Sequence, residues 1–204
     1  NMSGGTITAT SNNLSLTANS ISAASGSLTT VTSGNITVNS TGTVGSFTLG
    51  TVTAVGTINV GNTAAPASVT LKGAVTSSTS TVTIYSNANI TQDGDISANA
   101  GASDVKFYPD TDNNSPTSTF THTSGTVTAT NTQFYFPASS VTAFTLEGAD
   151  ASAGTTNYIY VGSSSSNSPA SVNITGTVTG NDIIYIRSLG DITQNADITA
   201  NAGA

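Results

Sequence analysis

The chain has 204 residues, a formal charge of −7, 6% charged residues and neither Cys nor Trp, and Thr, Ser, Asn and Gly make up roughly half of it. Three basic residues cannot neutralise a phosphate backbone, which excludes nucleic acid as a partner. The lack of Cys excludes disulfides and thiolate metal sites, and no apolar run approaches the roughly 20 residues of a membrane span.

Abundant Val, Ile and Thr argue against intrinsic disorder, and scarce Leu, Glu, Lys, Gln and Arg argue against helices. An all-β chain is expected. Apolar pairs spaced i, i+2 mark one face of a strand. In chain order they are Leu14/Leu16, Ile36/Val38, Ile58/Val60, Val82/Ile84, Val105/Phe107, Phe134/Phe136, Tyr158/Tyr160 and Ile184/Ile186. A second series runs between them through Leu28, Phe47/Leu49, Val69/Leu71, Phe120, Phe144/Leu146 and Val172/Ile174.

Two interleaved series with one period, broken by Gly, Ser and Asn corners, predict a parallel β-solenoid of about 22–26 residues per coil, its inward pairs stacked into apolar columns. Roughly eight or nine coils at about 4.8 Å each make a rod about 40 Å long. Thr-Val-Thr at 30–32, 51–53, 81–83, 126–128 and 177–179 is expected to turn Val inward and Thr outward. Corner Asn suits hydrogen-bonded ladders, and sparse charge suits a stack that sets like side chains one above another. The rival fold is two tandem β-sandwich domains; the missing Trp and the scarcity of hairpin dipeptides oppose it.

A longer repeat is superimposed. Residues 90–102 read ITQDGDISANAGA and 192–204 read ITQNADITANAGA. Val60-Gly61 returns as Val161-Gly162, and Pro66-Ala67-Ser68-Val69 as Pro169-Ala170-Ser171-Val172. Residues 1–102 are thus expected to form one repeat copy and 103–204 a second, together one continuous rod. The phrases Gly34-Asn35-Ile36-Thr37-Val38, Asn89-Ile90-Thr91-Gln92, Gly190-Asp191-Ile192-Thr193-Gln194 and Asp197-Ile198-Thr199-Ala200 resemble the G-(N/D)-I-T repeats of filamentous-haemagglutinin-like adhesins and related β-strand-repeat bacterial surface proteins. That resemblance implies a right-handed parallel β-helix, secretion across an outer membrane, and a role in adhesion or as a stalk. The Asn-Pro-Asn motifs of that family's secretion domain do not occur here, so the resemblance is to the repetitive shaft.

Candidate sites are few. Solenoid enzymes that cleave acidic polysaccharides cluster carboxylates with His or basic residues. Here Asp93 and Asp95 sit in a turn-like phrase, while His122 and Arg187 are each alone in the chain and distant in sequence. Corner carboxylates bonding their own backbone account for the phrase, and no enzyme and no organic cofactor are expected. Asp110, Asp112 and Asn114 could direct three oxygens at a hard cation such as calcium, although Ser115 stands where such loops carry Gly and Thr121 where they carry an acid. Tyr108 and Tyr135 fall on the outward phase and offer a patch for a carbohydrate or cell-surface ligand. Neither end shows a capping helix, which points to further repeats or end-to-end self-association. The expected function is an extracellular structural shaft or filament of the cell surface; the alternative is an adhesin segment contacting its ligand through the middle third.

Overall fold

A computed structural model describes residues 4–98, 104–112, 118–135, 141–151, 158–162 and 168–201. Among them there is no helix, and none therefore long and apolar enough to cross a membrane. The chain is a parallel β-solenoid, and every strand pairing is parallel to the equivalent strand one coil away.

Each coil has three faces. The first is an eight-stranded sheet running from Leu14–Ala18 through Ile36–Ser40, Ile58–Val60, Val82–Tyr85, Asp104–Tyr108, Asn131–Phe134 and Tyr158–Val161 to Ile183–Ile186. The second stacks Ser68–Leu71, Asn89–Gln92, Ser118–His122, Val141–Leu146, Val172–Ile174 and Ile192–Gln194; the third stacks Val75–Ser77, Ile96–Ala98, Val127–Thr128, Ala149–Ala151, Val178–Gly180 and Ile198–Ala200. Toward the N-terminus the long strands Ile21–Thr30 and Ser46–Ala54 each serve both of these faces, which joins them into one 15-stranded sheet.

The third face is a departure from the two series read in the sequence. Its inward column is Leu28, Val52, Val75, Ile96, Val127, Ala149 and Val178. Two residues further on stand Thr30, Ala54, Ser77, Ala98 and Gly180, too small for an apolar pair to mark the strand. Leu28 belongs here, not to the second face.

On the first face the register passes from Val105/Phe107 to Thr132/Phe134 and then to Ile159/Val161. The expected pairs Phe134/Phe136 and Tyr158/Tyr160 are thereby corrected: Tyr158 and Tyr160 point outward, and Phe136 lies outside the described residues. Ile159 and Val161 are fully buried in place of the tyrosines, whose hydroxyls would need partners inside an apolar column. Thr-Val-Thr behaves as expected at Val52, Val127 and Val178; at 81–83 Val82 is buried but so is Thr83, and at 30–32 Thr30 is buried and Val31 exposed.

In-register partners lie 20 residues apart at Val178 and Ile198 and 31 apart at Ile96 and Val127, a wider range than expected, because corners absorb insertions at little cost. The two ITQ strands, Asn89–Gln92 and Ile192–Gln194, occupy the second face four strands apart, so one sequence repeat equals four coils. Pairings Val82–Tyr85 with Asp104–Tyr108 and Ile96–Ala98 with Val127–Thr128 carry the same ladder across the boundary between the copies.

Corners continue the ladder through side chains. The Asn35 N–H donates to Asn13 Oδ1 at 2.8 Å, Thr57 N–H to Asn35 Oδ1 at 2.7 Å, and Thr119 N–H to Asn89 Oδ1 at 2.9 Å. Each Asn side chain supplies an acceptor to a backbone donor just before or at the start of a strand. The core is aromatic in the middle third, where Phe107 and Phe134 from the first face interlock with Phe120 and Phe144 from the second at ring separations of 4.8 to 5.0 Å.

Candidate functional site

All six tyrosines of the chain stand on the outer side of the first face, because alternation along its strands sends every second residue to solvent. Tyr85, Tyr108 and Tyr135 follow one another in successive coils. Their rings stack at 4.5 Å and 4.7 Å with planes 11° and 3° apart, one ring per coil along the rod. Tyr158, Tyr160 and Tyr185 form a second group, Tyr160 and Tyr185 being register partners. Tyr108 and Tyr135, the two singled out by phase, thus sit in one ladder with Tyr85, which phase alone did not separate from ordinary surface.

A polar network ties the ladder down. Lys106 forms an ion pair with Asp104 at 2.8 Å, and Asn131 Nδ2–H donates to Asp104 Oδ1 at 2.8 Å. Tyr135 donates its hydroxyl hydrogen to Gln133 Oε1, and Gln133 Nε2–H donates to the Tyr158 hydroxyl. Burial, reinforced by Tyr135 and Tyr85, pushes the Tyr108 phenol up to about 12, and burial raises Tyr135 and Tyr158 as well. The phenols of Tyr108, Tyr135 and Tyr158 are therefore neutral hydrogen-bond donors at ordinary pH.

Gln133, Phe134, Tyr135, Tyr158, Tyr160 and Gly162 line a pocket of about 320 Å³. At the other end of the ladder a broader cleft of about 610 Å³ runs past Gly61, Tyr85, Asn87, Tyr108 and Asp112.

The acidic corner is arranged differently. Lys72, Asp93 and Thr123 occupy equivalent positions in three successive coils; Lys72 pairs with Asp93, and the Thr123 hydroxyl donates to Asp93. The hydrogen bond from Lys72 is the largest cause holding the Asp93 carboxyl below its ordinary value. Asp95 Oδ1 accepts from Thr126 N–H at 2.9 Å. His122, remote in sequence, is the register partner of Gln92 and stands one coil from this corner, but it faces inward and is 1% exposed. Its Nδ1 accepts from the Glu147 and Gly148 N–H groups at 3.3 and 3.4 Å, which puts the proton of the neutral ring on Nε2. Asp93 and Asp95 are spent on structural bonds, and the imidazole lies behind the sheet.

Burial pushes the His122 pKa below its ordinary value, against the pull of Glu147 and Asp95. The unfolded chain then binds a proton that the folded one refuses as pH falls below about 6.5, so folding stability is retained above that pH and declines on acidification. Melting midpoints should fall between pH 7.5 and 5, and His122→Gln should flatten that slope. Asp93 loses its own contribution only below about pH 4, outside the window.

Of the cation candidates, Asp110 is fully buried with φ of 58° and Asp112 borders the cleft beside Tyr108; Asn114 lies outside the described residues. Among the described residues no three His, Asp or Glu side chains converge on one point. Comparison with protein-family models, with curated proteins and with solved structures returned no match.

Proposed function

We propose that the chain is a length of stiff extracellular shaft or filament at the cell surface, extended by further coils or by end-to-end stacking of copies. The observation that carries this reading is the parallel pairing that continues from coil to coil, with register shifts at Ala23/Ser27 and Ser118/Thr119. Ladders run from Leu14–Ala18 to Ile183–Ile186 on the first face and across the repeat boundary on all three, so bending the rod means breaking main-chain bonds in every sheet at once. Sparse charge, paired as Lys72 with Asp93 and Lys106 with Asp104, keeps the stack free of like-charge contacts.

The test is microscopy with labelling on the organism that makes it. An antibody raised against the folded chain should decorate intact cells along thin rods; staining that appears only after lysis overturns the reading.

The tyrosine face favours a second role, adhesion, since six phenols on one side of a rod are more than packing requires. A surface-displayed shaft lacking Tyr108 and Tyr135 should attach less well than the parent, and equal attachment removes that role.

A further inference from the structure

The tyrosine ladder ends at glycines. Register places Gly61, Tyr85, Tyr108, Tyr135, Gly162 and Arg187 in one outward column: Val60 pairs with Ile84, Ile84 with Phe107, Phe107 with Phe134, Phe134 with Val161 and Val161 with Ile186, each one residue before its column member. Both glycines are obligatory. Gly61 has φ of 75° and Gly162 of 74°, and a Cβ on Gly162 would come 2.5 Å from Ser168 Oγ. The phrase Val-Gly recurs in the two repeat copies, so the notch is a repeated feature of the solenoid.

Among the described residues, the consequence is a ring face of Tyr135 that borders an open pocket. Tyr108 has a neighbour on both sides, while Tyr135 has Tyr108 on one side and on the other the coil of Gly162, which carries no side chain. From Tyr135 to the coil of Arg187 is two strand spacings, roughly 9.6 Å. A single ring inserted there would lie about 4.8 Å from Tyr135, close to the 4.5 and 4.7 Å of the ladder itself.

We infer that the pocket over Gly162 binds one pyranose ring of an uncharged glycan, stacked on Tyr135 as the next member of the ladder. The ligand must be flat on one apolar side and rich in acceptors at its edge: Tyr158 keeps its hydroxyl hydrogen and Gln133 a second amide hydrogen beyond the bonds described. The chain's −7 charge opposes a polyanion, and with Lys106 already paired only Arg187 at the far side of the site offers a cation, so uronate oligomers are the competing ligand that the experiment includes. The inference deepens the adhesive role, and the two fail separately, since attachment could depend on the tyrosines through another ligand.

The experiment is an array of neutral glycans covering the common hexoses and pentoses, followed by titration of any hit against tyrosine emission, which no Trp obscures. At least one neutral oligosaccharide should bind, Tyr135→Ala should weaken it roughly tenfold, and Tyr135→Phe, which keeps the ring face, should stay within about threefold. Val31→Ala, at an exposed site several coils away, should leave affinity unchanged. No neutral glycan bound at about 10 mM, binding of uronate oligomers alone, or equal affinity in Tyr135→Ala overturns the inference. Were Tyr135→Ala to melt prematurely, Tyr135→Leu, a side chain of similar bulk without a ring, carries the same test, and its unchanged affinity likewise overturns it.

Discussion

Phe120→Ala is expected to destabilise the rod by about 3–5 kcal/mol, the cost of emptying a large aromatic site that cannot collapse. Phe120 is fully buried and is the hinge of the aromatic core: it meets Phe107 edge-on at 5.0 Å, Phe134 edge-on at 4.9 Å and stacks on Phe144 at 5.0 Å. The surrounding strands are pinned at strand spacing by their ladders, so the walls cannot close on the void. Because a solenoid is nearly one-dimensional, the loss should be local as well as global. Hydrogen exchange should show the strands Asp104–Tyr108 to Val141–Leu146 opening first, with those near Ile36–Ser40 protected. Val31→Ala, at a half-exposed site, should fall within about 0.5 kcal/mol of the parent, and equal effects of the two would refute the account.

Gly176→Ala is expected to cost about 3 kcal/mol or more, at the upper end of overpacking. A Cβ there would lie 1.4 Å from the Glu147 carbonyl oxygen of the preceding coil. The corner cannot step aside, because Thr175 N–H bonds to Leu146 O at 2.9 Å just before the glycine and Ala149 N–H bonds to Thr177 O at 3.1 Å just after it. Relief means giving up one of these bonds. Gly42→Ala is the matched control, since its nearest neighbour would be Asn19 Oδ1 at an ordinary 3.7 Å. Thermal melts of the pair should differ by many degrees; similar midpoints would show that the coils can part at Gly176 without loss.

Both expectations turn on what alternation can and cannot tell. Period-two marking found strand pairs of the first two faces such as Ile36/Val38 and Phe47/Leu49, since burying a pair of large apolar residues leaves the strand one orientation. It misplaced Tyr158/Tyr160, where Tyr-Ile-Tyr-Val alternates equally well in either phase and the choice is made by whether a hydroxyl can be satisfied inside. It passed over the third face, whose strands end on small residues. His122 and the Asp93 corner were read as distant because sequence separation hides a neighbour one coil away.

Composition and the two periods by themselves determined that the chain is all-β and that it winds, because a chain with so few helix-forming residues and recurrent apolar pairs can bury them only by stacking like on like. Tertiary structure alone decided the three faces, the tyrosine ladder and the notch that ends it. Ladder and notch depend on which residue faces which across a coil of 20 to 31 residues, and that register is set by main-chain pairing and corner insertions that no local pattern records.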